Sequence, residues 1–254
     1  MSRPSPQTTT MASTLASRVR NDVIHGLLRP GTKLRAQELA ERYGVSAIPM
    51  REALCRLASS GFVRAEDQKG FRVAEVSAAE LEDITSTRLF IESEALRRSL
   101  RCGDLSWETN LIGAHHRMSR TSMQSAAQAG VTPEWEEAHA AFHAALLAAC
   151  DSQWLLNLAE VLRDQTARYR HLSVQAENEQ GSLSDPPDAR DVAAEHKAIL
   201  DAALERNADR AIELLTEHFH RTTALVIDKA DRSERSRRHA ADTAGVDARI
   251  AAGG

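Results

Sequence analysis

The stretch 43–54, YGVSAIPMREAL, constrains the fold most, because it has the pattern of two short helices joined by a tight turn. Gly44 ends an amphipathic helix, and Ser46 is placed to cap the next one by accepting a hydrogen bond from its first turn. Pro49 falls in that first turn, where its missing N–H costs nothing. Apolar residues then recur at helical spacing while Arg51 faces outward. The pattern predicts a helix-turn-helix whose second helix enters a DNA groove.

The flanking segments predict the remaining parts of a winged helix-turn-helix. An amphipathic helix precedes the pair, with the apolar residues Leu15, Val19, Val23 and Leu27. Two short apolar runs, 62–63 and 71–73, flank a polar stretch as the strands of a hairpin would, which puts Lys69 and Gly70 at the wing tip. A small helical domain that merely contains a tight turn is the alternative, but it explains no hairpin.

Charge is distributed unevenly between the two parts of the chain. Residues 13–76 hold eleven basic and seven acidic residues, whereas residues 77–254 hold twenty basic and twenty-nine acidic ones. A positive module on an acidic chain suits a partner made of phosphates, because phosphate contacts supply most of the non-specific affinity for DNA. We therefore expect double-stranded DNA as a partner.

Residues 14–76 resemble the DNA-binding domain of the GntR family of bacterial transcription regulators. The motifs that carry the resemblance are Pro30-Gly31, Val45-Ser46, the run Pro49 to Leu54, Gly61-Phe62-Val63 and Gly70-Phe71. The resemblance places the following residues at DNA-binding positions: Arg35, Ser46, Ala47, Pro49, Arg51, Lys69 and Gly70. Family members commonly have Arg at the position of Ala47 and a small polar residue at that of Ile48, so one expected contact is absent.

Beyond residue 77 the sequence predicts six helices and no strand. Their approximate ranges are 77–102, 105–130, 133–150, 152–173, 188–206 and 208–229. The predicted fold class is mainly α, with an N-terminal winged helix-turn-helix followed by an all-helical antiparallel bundle of six to seven helices. We expect four regions: a disordered N-terminus (1–12), the DNA-binding domain (13–76), the helical domain (77–230) and a disordered tail (231–254).

Other features of the composition predict a cytoplasmic protein. No apolar stretch is long enough to cross a bilayer, and the first residues have no apolar core of a secretion signal. The three cysteines Cys55, Cys102 and Cys150 are widely spaced in helical patterns, which favours reduced, packing thiols over disulfides or a zinc ribbon.

Four of the ten histidines could converge on one ion. His139 and His143 lie four residues apart and therefore share one face of a helix. His196 and His218 belong to the last two predicted helices. Four imidazole donors suit zinc, nickel or another borderline divalent metal better than magnesium or calcium. Ordinary packing or surface histidines are the open alternative.

Residues 78–228 resemble the FCD effector domain of one GntR branch, through the motifs Arg88 to Glu92, Phe142-His143, Glu195 to Leu200 and Ala211 with His218. The resemblance implies that His143, His196 and His218 are metal ligands, with His139 at the position of a metal-binding Asp. A four-histidine site follows, or a three-histidine site with His139 displaced. Losing that carboxylate would leave the ion less neutralised and more attractive to an anion.

The same resemblance assigns Arg88 to the effector cavity, where it would bind the carboxylate of a small organic acid. A structural ion pair with Glu92, one helical turn later, is an equally open role for Arg88, and both roles could coexist.

These features together predict a cytoplasmic, homodimeric, metal-containing transcription regulator, acting as a repressor that an organic acid controls, and no enzyme. Two alternatives stay open. The helical domain could serve dimerisation alone, without a ligand. A metal-dependent hydrolase with Glu137 or Glu195 as its base is the other, although the attached DNA-binding domain has no role in hydrolysis.

Overall fold

A computed structural model describes residues 10–66, 69–125, 128–178 and 190–252 of the chain. The chain divides into two compact units, 1–77 and 78–254, at a point one residue from the predicted boundary. Most of the N-terminal segment expected to be disordered, 1–9, lies outside the described residues. In the described part of the chain, no helix has both the length and the apolar character needed to cross a bilayer.

The first unit is a winged helix-turn-helix. Its elements are α1 (Met11–Ile24), β1 (Lys33–Leu34), α2 (Ala36–Tyr43), α3 (Ala47–Ser59), β2 (Val63–Glu66) and β3 (Gly70–Val73). Gly44 ends α2 with φ 68°, a left-handed conformation that glycine adopts without strain. Strands β2 and β3 form the predicted hairpin, and β1 adds a third antiparallel strand in the order β1-β3-β2.

One expectation for this unit was wrong, and one short strand was not identified from the sequence. The first helix ends at Ile24, and Gly26 has φ 73°, so Leu27 lies outside the helix and is 65% exposed while Leu28 is buried. The sequence also predicted no strand at 33–34, because a two-residue strand has no periodic pattern. Its existence depends on pairing of Lys33 and Leu34 with β3.

In its described residues, the second unit contains six helices and one short hairpin, which confirms the mainly α fold class. The elements are α4 (Ala78–Cys102), α5 (Leu105–Arg120), β4 (Gln124–Ser125), β5 (Gln128–Val131), α6 (Pro133–Leu147), α7 (Gln153–Asn178), α8 (Val192–Leu204) and α9 (Ala208–Ala252). As predicted, α6 begins at Pro133, and Thr132 caps it by accepting from the N–H of Trp135.

The hairpin is a correction, because we expected helix as far as residue 130 and no strand. Helix α5 ends at Arg120, and Thr121 has an extended backbone. The N–H of Thr132 donates to the carbonyl of Met123 at 3.0 Å, and its hydroxyl donates to the carbonyl of Ser122 at 2.6 Å. These hydrogen bonds favour the hairpin over continued helix. The sequence has no local strand pattern from which they could be predicted.

The core of the second unit lies between α4, α6, α8 and α9, with α5 covering one side. Its largest fully buried apolar side chains include Leu96, Leu111, Phe142, Leu146, Leu147 and Ile199. Arg206, at φ 58°, joins the end of α8 to the C-terminal end of α4 by donating to the carbonyls of Leu100 and Gly103, both at 2.9 Å. Helices α4, α6, α8 and α9 also carry the residues of the candidate site.

The C-terminal segment also differs from expectation, because α9 continues to Ala252 through the region expected to be disordered. Arg232 donates to Asp228 one helical turn earlier, and the segment is rich in Ala and Arg, which favour helix. Low apolar content argued against tertiary packing of this segment, but it does not by itself argue against helix.

All three cysteines are free thiols, yet the packing role was wrong for two of them. Cys55 and Cys102 are exposed, and Cys150 is buried.

Candidate metal centre and DNA-binding surface

The structure brings the four predicted histidines together in the interior of the second unit. His139 and His143 lie on one face of α6, His196 on α8 and His218 on α9, and all four are buried. One ring nitrogen from each lies within 4.8 Å of those of the others. Two nitrogens bound to one zinc ion at ~2.1 Å each lie at most ~4.2 Å apart, so an ion shared by all four would require at most small shifts of the rings. The geometry therefore includes His139, rather than displacing it from the cluster.

Ring packing holds the cluster in place. The ring centroids of His196 and His218 are 4.5 Å apart, and those of His139 and His143 are 4.6 Å apart. Trp135, one turn before His139, stacks on its ring at a centroid distance of 4.6 Å and an interplanar angle of 18°. The local cause is helical spacing, since residues four apart on α6 share the inward face.

The environment keeps these histidines neutral. Burial holds the pKa of His139 and His143 well below the ordinary histidine value, with nearby positive charge acting in the same direction. Burial also lowers the pKa of His196 to about 3. The pKa of His218 is lowered by burial, although its hydrogen bond to Glu195 opposes the shift. Neutral imidazoles have the lone pair that a metal ligand needs.

Several nitrogens of the cluster have no hydrogen-bond partner among the described residues. These are Nδ1 of His139, both ring nitrogens of His143 and Nε2 of His196. A buried polar atom without a partner costs free energy, on the order of 1–3 kcal/mol, and native structures rarely tolerate several in one place. A bound cation would satisfy them, so the donor set fits a divalent transition metal.

A carboxylate outside the cluster orients one of the rings. Nδ1 of His218 lies 2.8 Å from Oε2 of Glu195, so this nitrogen can donate to the carboxylate while Nε2 keeps its lone pair. Arg190 and Arg221 in turn donate to Oε1 of Glu195, at 2.8 and 3.2 Å. Although burial alone raises the pKa of Glu195, these hydrogen bonds lower it well below the ordinary value. Such carboxylate–histidine pairs fix ring orientation at metal sites.

A cavity of about 110 Å³ borders the cluster. His139 and His218 are among its lining residues, together with Arg88 from α4. Three further cationic residues line it, Arg170, Arg190 and Lys229, and the described lining residues include no Asp or Glu. Arg88, Arg170 and Arg190 each pair with a glutamate that does not line the cavity. Their guanidinium groups still offer hydrogen-bond donors that suit an anionic occupant.

Arg88 makes the ion pair with Glu92 that the sequence left open for it, and it also lines the cavity. Its side chain is 3% exposed, and its Nε donates to Oε1 of Glu92 at 2.6 Å. Its guanidinium carbon lies 3.8 Å from the ring centroid of Phe219. Nη2 of Arg88 and Oε2 of Glu92 have no partner among the described residues. One donor of Arg88, a residue that lines the cavity, is therefore unsatisfied within the described structure.

On the DNA-binding unit, the expected capping bond from Ser46 is wrong. Ser46 occupies the N-cap position of α3 with an extended backbone, but its side chain makes no capping hydrogen bond. An N-cap side chain commonly bonds the N–H three residues later, and here that residue is Pro49, which has none. The Ser46 hydroxyl is exposed and not used in the cap, which leaves it available to a phosphate.

The predicted DNA-contacting residues lie at the surface. Arg51 is exposed on α3 and makes no ion pair with the described residues, whereas Arg35 pairs with Glu38 at 2.6 Å. Ala47 is the first residue of α3 and half-buried. Lys69 and Gly70 lie at the hairpin and are exposed. Gly70 has φ 92°, so a side chain there would strain the turn.

Family models match both units of the chain. The model for bacterial regulatory proteins of the gntR family matches residues 11–73, and the model for the FCD domain matches residues 83–221. The chain belongs to the GntR family. It is a DNA-binding transcription regulator whose second unit is an FCD domain.

This GntR-family chain matches transcription regulators over most of their length and of its own. It is 35% identical over 210 residues, 82% of each chain, to the HTH-type transcriptional regulator BphR of Paraburkholderia xenovorans. It is 33% identical to the HTH-type transcriptional repressor GlaR of Escherichia coli, over 79% of this chain and 89% of GlaR. The solved structure of E. coli McbR/YncC shares the fold, with a TM-score of 0.71 and 19% identity over 87% of this chain and 99% of that one.

Sequence reasoning missed several residues of the site. Arg170 and Arg190 line the cavity, and Met123 and Val131, beside and within the unpredicted hairpin, contribute to its wall. The sequence shows only one usable signal, the acidic residue Glu195 beside His196. Arg190 falls inside the fifth predicted helix, 188–206, where no pattern points to a ligand, whereas in the structure it precedes α8.

Proposed function

We propose that the protein is a homodimeric repressor whose operator binding is controlled by a small organic acid bound in its metal-containing FCD domain. The observation that carries the proposal is the cationic cavity, whose lining brings together two histidines of the cluster and Arg88, a residue with an unsatisfied donor. A sensor needs such a site in the same chain as a DNA-binding domain, and this chain has both.

The exposed residues of the first unit support contact with an operator. Helix α3 would lie in the major groove, with Arg51 facing bases or phosphates, while Ser46 and Arg35 contact the backbone. Lys69 and Gly70 would place the wing against the adjacent backbone. We place the protein in the cytoplasm as part of this proposal, because the bacterial chromosome that it would bind lies there.

The donor set supports zinc or nickel. Imidazole nitrogens suit these ions, and four neutral histidines offer no charge that would favour magnesium or calcium. Such an ion, when bound, supplies a Lewis-acid position that accepts a carboxylate oxygen. Arg88 would bind and orient the anion. Glu195 would keep His218 in the tautomer with the proton on Nδ1.

The cavity supports an organic acid as effector. Its volume of about 110 Å³ suits a small molecule, and its lining combines cationic groups with apolar ones such as Trp135 and Phe219. Arg88 can bind a carboxylate through Nη2 without giving up its hydrogen bond to Glu92. Control follows if the acid binds the DNA-competent and incompetent states with different affinity.

An exposed apolar stripe supports a second copy as partner. Trp154, Leu158 and Val161 are exposed at helical spacing on α7, and Phe90 is 78% exposed on α4, which packs against α7. A two-fold dimer formed there would match an operator with two half-sites. The repressor direction is supported by the relative GlaR, whose name gives that role.

The hydrolase alternative has little support in the geometry. Glu195 accepts hydrogen bonds from His218 and two arginines, and its pKa is lowered. It is therefore a poor proton acceptor. Glu137 is exposed rather than directed to the cluster.

Operator binding in the presence and absence of organic acids tests the proposal. Genomic duplexes selected by the purified full chain would be titrated by fluorescence anisotropy at physiological salt. We expect Arg51→Ala to weaken binding about tenfold to a hundredfold, as for the loss of one specific contact. One or more acids of a panel of mono-, di- and tricarboxylates should weaken operator binding by the wild type.

Circular dichroism would verify that Arg51→Ala stays folded, and Arg97→Ala, an exposed arginine of the other unit, is the matched control. Unchanged affinity of Arg51→Ala would remove that residue from the interface. A regulator that binds its operator but ignores every acid would support a domain used for dimerisation alone.

A further inference from the structure

Helix α3 presents one large apolar side chain to solvent. Ile48 is 82% exposed, whereas the other large apolar residues of the helix, Met50, Leu54 and Leu57, are buried. Single exposed apolar residues are common and need no explanation by themselves. The position of Ile48 is what distinguishes it, because it is the second residue of the helix and Arg51 follows one turn later on the outward side.

The N-terminal residues of a recognition helix are those that reach base edges. An isoleucine there can neither donate nor accept a hydrogen bond. Among the base edges of the major groove, the one apolar group is the C5-methyl of thymine. Ala47, the residue before Ile48, is likewise without a polar side-chain atom. This pair therefore cannot read guanine, cytosine or adenine by hydrogen bonding.

We propose that Ile48 determines operator specificity by packing against the C5-methyl group of one thymine in each half-site. The proposal rests on the placement of α3 in the major groove. The surroundings favour DNA over an apolar protein surface as the occupant, because the exposed residues nearest to Ile48 along the helix are polar: Ser46, Arg51 and Glu52, whose charge is paired with Arg56. One apolar side chain among polar ones is complementary to the major-groove edge of thymine, where the C5-methyl group lies beside a hydrogen-bonding atom.

Replacement of thymine by deoxyuridine tests this, because it deletes the methyl group and leaves every hydrogen-bonding atom in place. Each thymine of a selected operator would be replaced in turn, symmetrically in both half-sites, and the affinity measured by anisotropy. We expect one position per half-site at which wild-type affinity falls by on the order of threefold to fivefold per methyl group, the value of one buried methyl.

The variant Ile48→Ala should bind the thymine operator more weakly by a similar factor and should no longer distinguish thymine from deoxyuridine there. Ile48→Val should keep part of the discrimination. Leu27→Ala is the matched control, because Leu27 is an exposed apolar residue of the same unit outside α3, and it should behave as the wild type.

Two results would overturn the inference: a wild type indifferent to deoxyuridine at every thymine, or an Ile48→Ala variant that discriminates as strongly as the wild type. Either would leave the regulator function intact, because operator binding itself is measured in the same titration. Failure of the full chain to enrich any duplex would instead contradict the proposed function.

Discussion

The two units keep their functional residues in opposite environments. Arg35, Arg51 and Lys69 of the DNA-binding unit are exposed, and water solvates them before any DNA is bound. The histidines and Arg88 of the FCD domain are buried, with several nitrogens that lack a partner among the described residues. Changes in the first unit should therefore alter affinity with little effect on folding. In the second, stability and ligand binding should be coupled, because unpartnered buried groups destabilise the empty site.

The largest effect of this contrast is expected at the Arg88–Glu92 pair. Arg88→Met would leave the fully buried Glu92 carboxylate without its partner, and we expect a loss of about 3–5 kcal/mol in the free energy of unfolding, measured with urea. The double variant Arg88→Met with Glu92→Leu should recover most of the loss, since it leaves no buried charge.

The same helix offers a matched control. Arg98 and Glu94 are also four residues apart and ion-paired, but both are about 40% exposed. Replacing them by Met and Leu should leave the stability essentially unchanged, because solvent screens an exposed pair. Equal losses at the two pairs would contradict the contrast between buried and exposed charges.

The metal centre should show a smaller but specific effect on stability. An ion at a hundredfold excess over its dissociation constant stabilises the folded state by about 2.7 kcal/mol. In a domain of this size, that raises Tm by roughly 5–10 °C. We expect zinc or nickel to raise the Tm of the chelator-treated wild type and to have no such effect on His143→Ala with His196→Ala.

Elemental analysis of protein purified without an affinity tag gives an independent measure of that site. The control replaces two exposed histidines, His116 and His220, by alanine, and it should retain the metal content and Tm shift of the wild type. Equal metal content in the two double variants would refute the centre.

The elements that sequence could predict are those in which local pattern and tertiary packing agree. The inward face of α3 and the pair His139 and His143 follow from helical spacing alone. The β4–β5 hairpin has no local strand pattern, and the Glu195–His218 contact and the cationic lining of the cavity join residues far apart in the chain. The capping role of Ser46 failed for a different reason, because Pro49 both suits the first turn and lacks the N–H that the cap requires.

The smallest effect is expected for the salt dependence of DNA binding when the wing of the first unit loses one positive charge. Lys69 lies at the wing, so Lys69→Gln should remove about one phosphate contact per subunit. For each subunit bound, the slope of log affinity against log salt concentration should become shallower by roughly one, and the loss of affinity should be similar on all duplexes. Lys197→Gln is the control, because Lys197 is an exposed lysine of α8 paired with Asp201, and it should leave the slope unchanged. An unchanged slope in Lys69→Gln would mean that the wing does not reach the phosphates, and α3 with its flanking residues would then account for the whole electrostatic contribution of this unit.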